Sequence, residues 1–284
     1  MSYICKFRIT SSVVSVRRNL TRSRRNRLKV LLLLTAASAL GQIPGNVMSR
    51  VFEIRVGKAI GTSFFVPVNG KEYLFTANHV VEGVGEQGDI ELLNNNQWQA
   101  LNVRVIHADS RCNDVAVLIL KPKAWTVNAD PLVSTHSLFV GQEIYFLGFP
   151  YGLVVQANNY NWTFPLVKHG YTSAVAKCSD IETGAPSEKE LILLDGFNNP
   201  GFSGGPVITR DFGDPTFRVL AIVKGYMNEK MPVSVNRRNV DGASVSTNTG
   251  IVVATPFDNA IDLIKSDAKK EDSSEEFMGK LRFR

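Results

Sequence analysis

Cysteine is scarce in this chain: only Cys5, Cys112 and Cys178 occur among 284 residues. None belongs to a CxxC pair, and no histidine stands at zinc-ligand spacing from them, which argues against a metal site. With Cys5 in the N-terminal leader, Cys112 and Cys178 read as two small buried thiols rather than as a disulfide. Long apolar runs are missing too. Val30–Leu40 is the nearest approach, at 11 residues, against the roughly 18 that cross a bilayer, so no integral membrane span is expected. Acidic residues are absent before Glu53. The first 52 residues hold 10 of the 32 Lys and Arg and none of the 26 acids, leaving 22 against 26, a net of −4, in the rest. The formal charge of +6 therefore belongs to the leader, and the body has no basic footprint for a nucleic-acid partner.

What remains is globular in composition, with 44% hydrophobic and 20% charged residues. The length suffices for one large domain or two small ones. The leader, residues 1–47, has a basic stretch at 17–29, the short apolar core and an Ala37-Ser38-Ala39 site. That order is the order of a secretory signal, and export is the favoured reading. Arg and Ser without acids also resemble a transit peptide, and a start at Met48 would leave a cytosolic protein. All three readings exclude the leader from the fold.

Strands are expected at Val51–Val56, Gly61–Val68, Glu72–Thr76, Asp89–Leu93, Leu101–His107 and Val115–Leu120, from short β-branched and aromatic runs broken by turns. Val68-Asn69-Gly70-Lys71 carries a hairpin signal. A second series is expected at Glu143–Gly148, Trp162–Ala176, Leu191–Leu194, Pro206–Thr209, Arg218–Tyr226 and Gly250–Ala254. So many short strands predict an all-β sandwich or barrel architecture. Lys121–Leu138, with Pro122 and Pro131, is the expected boundary between residues 48–125 and 126–265. One helix is expected near the end, with Thr255 as N-cap, Pro256 in its first turn, and Phe257, Ala260, Ile261 and Ile264 on one face. Residues 266–284 read as a frayed, charged tail.

The strongest chemical signal is Asn199-Pro200-Gly201-Phe202-Ser203-Gly204-Gly205-Pro206. Such a segment can be a tight turn, but glycines beside a serine also let backbone N–H groups aim at a developing oxyanion, here those of Gly201 and Ser203. A nucleophilic serine needs a base and a group that orients the base. Of the four histidines, His107, His136 and His169 sit in ordinary contexts and read as structural or solvated. His79 stands at a strand end, in Thr76-Ala77-Asn78-His79-Val80-Val81. Asp114 opens the apolar strand Val115-Ala116-Val117-Leu118-Ile119-Leu120, where a carboxylate is costly to bury without a partner.

The order His79, Asp114, Ser203, with Ser203 in the second half, resembles the trypsin-like serine peptidases of the chymotrypsin fold, most closely their HtrA/Deg (trypsin-2) type. Gly61-Thr62-Ser63-Phe64, Leu147-Gly148-Phe149-Pro150-Tyr151-Gly152, Gly170-Tyr171-Thr172-Ser173-Ala174 and Gly250-Ile251-Val252-Val253-Ala254-Thr255-Pro256 are similar to further family segments in the same order. The resemblance implies two six-stranded antiparallel β-barrels with a C-terminal α-helix, and a protein or peptide substrate. It also implies a His79, Asp114, Ser203 triad, an oxyanion hole at the N–H groups of Gly201 and Ser203, and no metal or organic cofactor. It puts the specificity pocket at Phe197, six residues before the serine, and Gly225. An apolar floor there favours small or aliphatic side chains before the cut, although Asp195 would share a strand face with Phe197. The chain departs from the family at Phe202, where Asp or Asn is usual, and at Val80, where secreted digestive relatives carry Cys. No PDZ-like sequence follows the last helix, and the stretch from Gly152 to Gly170 is longer than the pattern. Phe202 keeps open a second reading, a non-catalytic peptide-binding module of the same shape.

Overall fold

The computed structural model describes residues 43–281, apart from 109, 121–132, 135–137, 154, 157–162, 180–185, 212, 213, 215 and 237. The leader up to residue 42 and most of the expected boundary segment lie outside the described residues, as do His136 and Trp162.

Six antiparallel strands close the first barrel. They are β1 (Val51–Val56), β2 (Ala59–Val68), β3 (Lys71–Thr76), β4 (Gln87–Asn94), β5 (Gln97–His107) and β6 (Ala116–Leu120), joined in the order β1-β2-β3-β6-β5-β4. Strand alternation sorts their side chains. Ile54, Phe65, Leu74, Leu92, Val103 and Leu118 fill the barrel, while Phe64 and Phe75, one residue out of step, face the other way. The Asn-Gly hairpin forms as expected. Val68 pairs with Lys71, and Asn69 and Gly70 both take positive φ, 51° and 77°, which is what a tight turn matched to strand twist requires.

The second half holds β7 (Val133–Ser134), β8 (Glu143–Gly148), β9 (Val155–Gln156), β10 (Thr163–Phe164), β11 (Leu166–Ser179), β12 (Pro186–Asp195), β13 (Pro206–Arg210), β14 (Phe217–Val235) and β15 (Arg238–Pro256). Its main sheet runs β13-β8-β11-β12-β15-β14-β7, and an added β13–β14 pairing closes six of these strands into a ring. β7 joins as a short parallel neighbour of β14. The chain is therefore all-β with two six-stranded rings, as the resemblance implied. Between them lies a mixed core in which Phe64 and Phe75 from the first ring meet Leu147, Ile208 and Ile222 from the second and Phe257 from the C-terminal helix. Phe257 sits 4.9 Å from Phe75, ring to ring.

Five expectations change. β14 and β15 extend well past Tyr226 and Gly250 into a paired arm that turns at Asn236; the arm is exposed on both faces, so no buried alternation marks it in the sequence. The helix does not end at Lys265 but runs Phe257–Leu281, held by Arg104 pairing with Asp267 at 2.8 Å and with Glu271 at 3.1 Å. Its expected face is correct, since Phe257, Ala260 and Ile264 are buried. Thr255 does not cap it: Thr255 and Pro256 finish β15, and the Thr255 hydroxyl is buried without a partner among the described residues. The body also starts before Met48. Val47 is buried in the mixed core, and Ile43 packs against it.

The fifth correction concerns sulfur. Cys112 and Cys178 form a disulfide, Cα–Cα 5.7 Å, not two free thiols. Cys112 lies in the loop entering β6 and Cys178 near the end of β11, so the bond ties one barrel to the other. Their separation of 66 residues hides this proximity from any reading of local sequence.

Candidate active site

The first barrel supplies His79 and Asp114. β3 runs out into Ala77, and a single 3-10 turn, Asn78–Val80, follows. Val80 and Val81 bury themselves in the barrel, which anchors the turn and leaves the His79 side chain 45% exposed. Asp114 is 8% exposed. Its Oδ2 lies 2.6 Å from His79 Nδ1, and its Oδ1 accepts the His79 backbone N–H at 2.9 Å. An ionised carboxylate can only accept, so Nδ1 carries the proton and Nε2 presents its lone pair outward. The partner that Asp114 needs for burial is thus His79. His107 serves the turn from behind, bonding Asn78 Oδ1 and the Val84 carbonyl, both at 2.8 Å. His169 pairs with Glu143 at 3.1 Å, away from the site.

The second barrel supplies the serine loop. Phe202, which replaces the polar residue expected there, is fully buried and meets Phe146 edge-on at 5.3 Å. Apolar packing therefore holds the loop at the position where the family usually carries Asp or Asn. Thr62 completes the anchorage, and sequence reasoning missed its role. Its hydroxyl donates to the Gly201 carbonyl at 2.7 Å and accepts from the Phe149 N–H at 3.1 Å. Its own backbone N–H donates to the Ser203 carbonyl at 2.7 Å. Its sequence signal is the family-like segment Gly61-Thr62-Ser63-Phe64.

Two glycines explain why the loop can sit so close to its neighbours. Gly201 has φ of 104°, and a Cβ there would lie 2.2 Å from the Phe149 carbonyl oxygen. Gly204 has φ of 85°, and a Cβ there would lie 2.7 Å from Ala77 N, two residues before His79. The serine loop and the histidine turn are therefore in direct apposition. Among the hydrogen bonds of the described residues, none uses the N–H of Gly201 or of Ser203. Backbone N–H groups left unpaired at a cleft are suited to an anion. The Ser203 hydroxyl makes one long contact, donating to the Lys224 carbonyl at 3.4 Å.

A cavity of about 420 Å³ opens beside His79, bounded by Asn78, Arg111, Asp114, Lys224, Gly225 and Tyr226. Gly225, expected in the specificity pocket, faces open space. Phe197, expected at its floor, is 57% exposed, and Asp195 is also exposed. Lys168 reaches across to this stretch, its ammonium bonding the Phe197 carbonyl and Asn199 Oδ1. Burial holds the Lys168 amine below the usual lysine range. Among the described residues no cluster of three His, Cys, Asp or Glu could hold a metal ion, and no helix is long and apolar enough to cross a membrane.

Two β-barrels with a His–Asp pair on one and a glycine-flanked serine on the other define a trypsin-like peptidase. A trypsin-like peptidase domain matches residues 61–214, more than half of the chain, and the chain belongs to that family of serine protease hydrolases. "Serine protease Do-like HtrA" of Lactobacillus helveticus is 29% identical over 206 residues, covering 72% of this chain and 42% of that protein. The protein of the same description in Bacillus subtilis (strain 168) is 29% identical over 148 residues, covering 52% and 30%. The chain thus spans less than half the length of these curated relatives. Among solved structures, the Rv3671c protease in an inactive form matches with a TM-score of 0.51 at 17% identity, over 78% of this chain and 89% of that one. The HtrA-type protease AlgW with tripeptide matches with a TM-score of 0.50 at 19% identity, over 78% and 60%. At these identities the structural likeness speaks for the fold alone.

Proposed function

We propose that the chain is a serine endopeptidase that hydrolyses peptide bonds through an acyl-enzyme. Ser203 attacks the scissile carbonyl carbon as His79 Nε2 takes the hydroxyl proton. His79 then gives that proton to the leaving amine, and water repeats the cycle to free the acid. Asp114 fixes the tautomer and stabilises the imidazolium. The N–H groups of Gly201 and Ser203 receive the oxyanion, at about 3–4 kcal/mol per donor in comparable sites. The observation that carries this reading is the Asp114–His79 bond, which occupies Nδ1 and leaves Nε2 to act as the base. The buried Phe202 favours it over the non-catalytic alternative, since the ring secures the loop instead of filling the hole. A fluorophosphonate probe applied to the full chain tests it: covalent labelling of Ser203 supports the acyl-enzyme reading, and an unlabelled, folded protein overturns it in favour of peptide binding.

Gly201→Ala should lower kcat/KM at least about 100-fold, the scale of losing one oxyanion donor. The reason is the clash of the new Cβ with the Phe149 carbonyl at 2.2 Å, which pushes the Gly201 N–H out of place. Parallel kinetics and thermal melting check it; near-normal kcat/KM would show that this N–H is not used.

Cleavage should favour small or aliphatic residues before the cut and disfavour Lys and Arg. Phe197 offers no charge, and the Lys168 ammonium bonded beside it opposes a second cation. Mass-spectrometric mapping of cleaved sites in a peptide library is the measurement, and a dominant Lys/Arg preference would transfer the pocket to Asp195.

A further inference from the structure

Tyr151, in the turn Pro150–Gly152 after β8, holds a conformation that large residues rarely adopt. Its φ is 55°, in the left-handed region, and at 67% exposure burial does not keep it there. Two hydrogen bonds to the serine loop do. Its backbone N–H donates to the Pro200 carbonyl at 2.8 Å. Its hydroxyl oxygen accepts from Asn199 Nδ2 at 3.2 Å. Asn199 is set in turn by Lys168 on β11, whose ammonium donates to Asn199 Oδ1 at 2.9 Å and to the Phe197 carbonyl. The same ammonium stands 5.5 Å over the Phe202 ring. An ammonium can only donate, so Asn199 turns its oxygen to Lys168 and its amide N–H to Tyr151. Both acceptors of Lys168 are neutral, so its bonds orient the loop and neutralise no charge.

What matters is which peptide the Tyr151 N–H holds. Asn199-Pro200-Gly201-Phe202 is a β-turn closed by the Phe202 N–H on the Asn199 carbonyl at 3.3 Å. Proline in second place and glycine in third, with φ of 104°, mark it as type II. Types I and II differ by rotation of the central peptide, here Pro200–Gly201. In a trans peptide the C=O and the N–H point opposite ways. A bond that fixes the Pro200 carbonyl therefore fixes the direction of the Gly201 N–H as well. Other contacts hold other parts of the loop: Thr62 bonds the next carbonyl, that of Gly201, and Asn198 and Asn248 anchor the stretch before the turn. We propose that Lys168, Asn199 and Tyr151 are positioning residues, a clamp that holds the Pro200–Gly201 peptide with the Gly201 N–H turned to the oxyanion.

The clamp rests on the acyl-enzyme reading, and the test separates the two. The rate of fluorophosphonate labelling of Ser203 is measured for the full-length wild type, Tyr151→Phe, Lys168→Met and Lys168→Arg. The kcat and KM for casein and the melting temperature are measured beside it. Tyr151→Phe removes one hydroxyl from an exposed ring, so it should melt as the wild type does. It should label and turn over about threefold or more slowly, the scale of one hydrogen bond, with KM within about twofold. Lys168→Met frees Asn199 as well and should lose about 10-fold or more, short of the roughly 100-fold of a whole oxyanion donor. Lys168→Arg keeps the donors and should recover to within about threefold of wild type. Wild-type labelling and kcat in Tyr151→Phe overturn the clamp, whatever Lys168→Met shows and whether or not it folds. So does a rise in KM at unchanged kcat, which would make these residues part of substrate binding. Absence of labelling in the wild type instead overturns the acyl-enzyme reading, and the clamp falls with it.

Discussion

Ser203→Ala should reduce hydrolysis of an unstructured protein such as casein by at least about 10⁴-fold, the scale of losing a triad nucleophile, and leave the melting temperature within about 1–2 °C. The two expectations come from the same geometry. The hydroxyl makes one long hydrogen bond, at 3.4 Å, so its removal deletes little packing and leaves no strong donor unpaired. Everything else that holds the loop lies in Phe202, Thr62 and the backbone, which the substitution does not touch. Casein cleavage at the wild-type rate by the mutant would remove Ser203 from the mechanism. A large fall in melting temperature would show that the hydroxyl is structural.

Reduction of the Cys112–Cys178 bond, or its replacement by Cys112→Ser with Cys178→Ser, should be the most destabilising change short of opening a core. A bond closing a loop of 66 residues restricts the unfolded chain by about 4 kcal/mol in the chain-entropy account. For a protein of this size that corresponds to roughly 8–16 °C in melting temperature. Melting with and without reductant measures it, beside a thiol titration. A midpoint that does not move would show that the bond contributes nothing to stability. Cys112 stands two residues from Asp114, so the reduced protein should lose activity below its melting transition as well.

The two barrels were legible because their strands bury one face each: Ile54, Leu74, Leu92 and Val103 announce themselves by alternation. The paired residues His79 and Asp114 were legible for a different reason, since a carboxylate at the mouth of an apolar strand needs a partner. Other parts of the site depend on contacts between distant segments. Thr62 is an unremarkable strand residue until Gly201 arrives 139 positions later. Lys224 looks like a solvent lysine in an apolar strand until the first barrel places a carbonyl before it. The β14–β15 arm is exposed on both faces, so the periodicity that betrays a strand has nothing to act on. The helix beyond Lys265 is legible only through Arg104, whose partners Asp267 and Glu271 lie one turn apart.

The junction core also imposes an order on biosynthesis. Phe257, Ala260 and Ile264 close the space between the rings, and they follow all fifteen strands of the described residues. While the ribosome is still extending the polypeptide, the junction between the rings lacks these apolar side chains until they have emerged. The seam between the two halves of the candidate site is thus completed by the helix that is made after both of them.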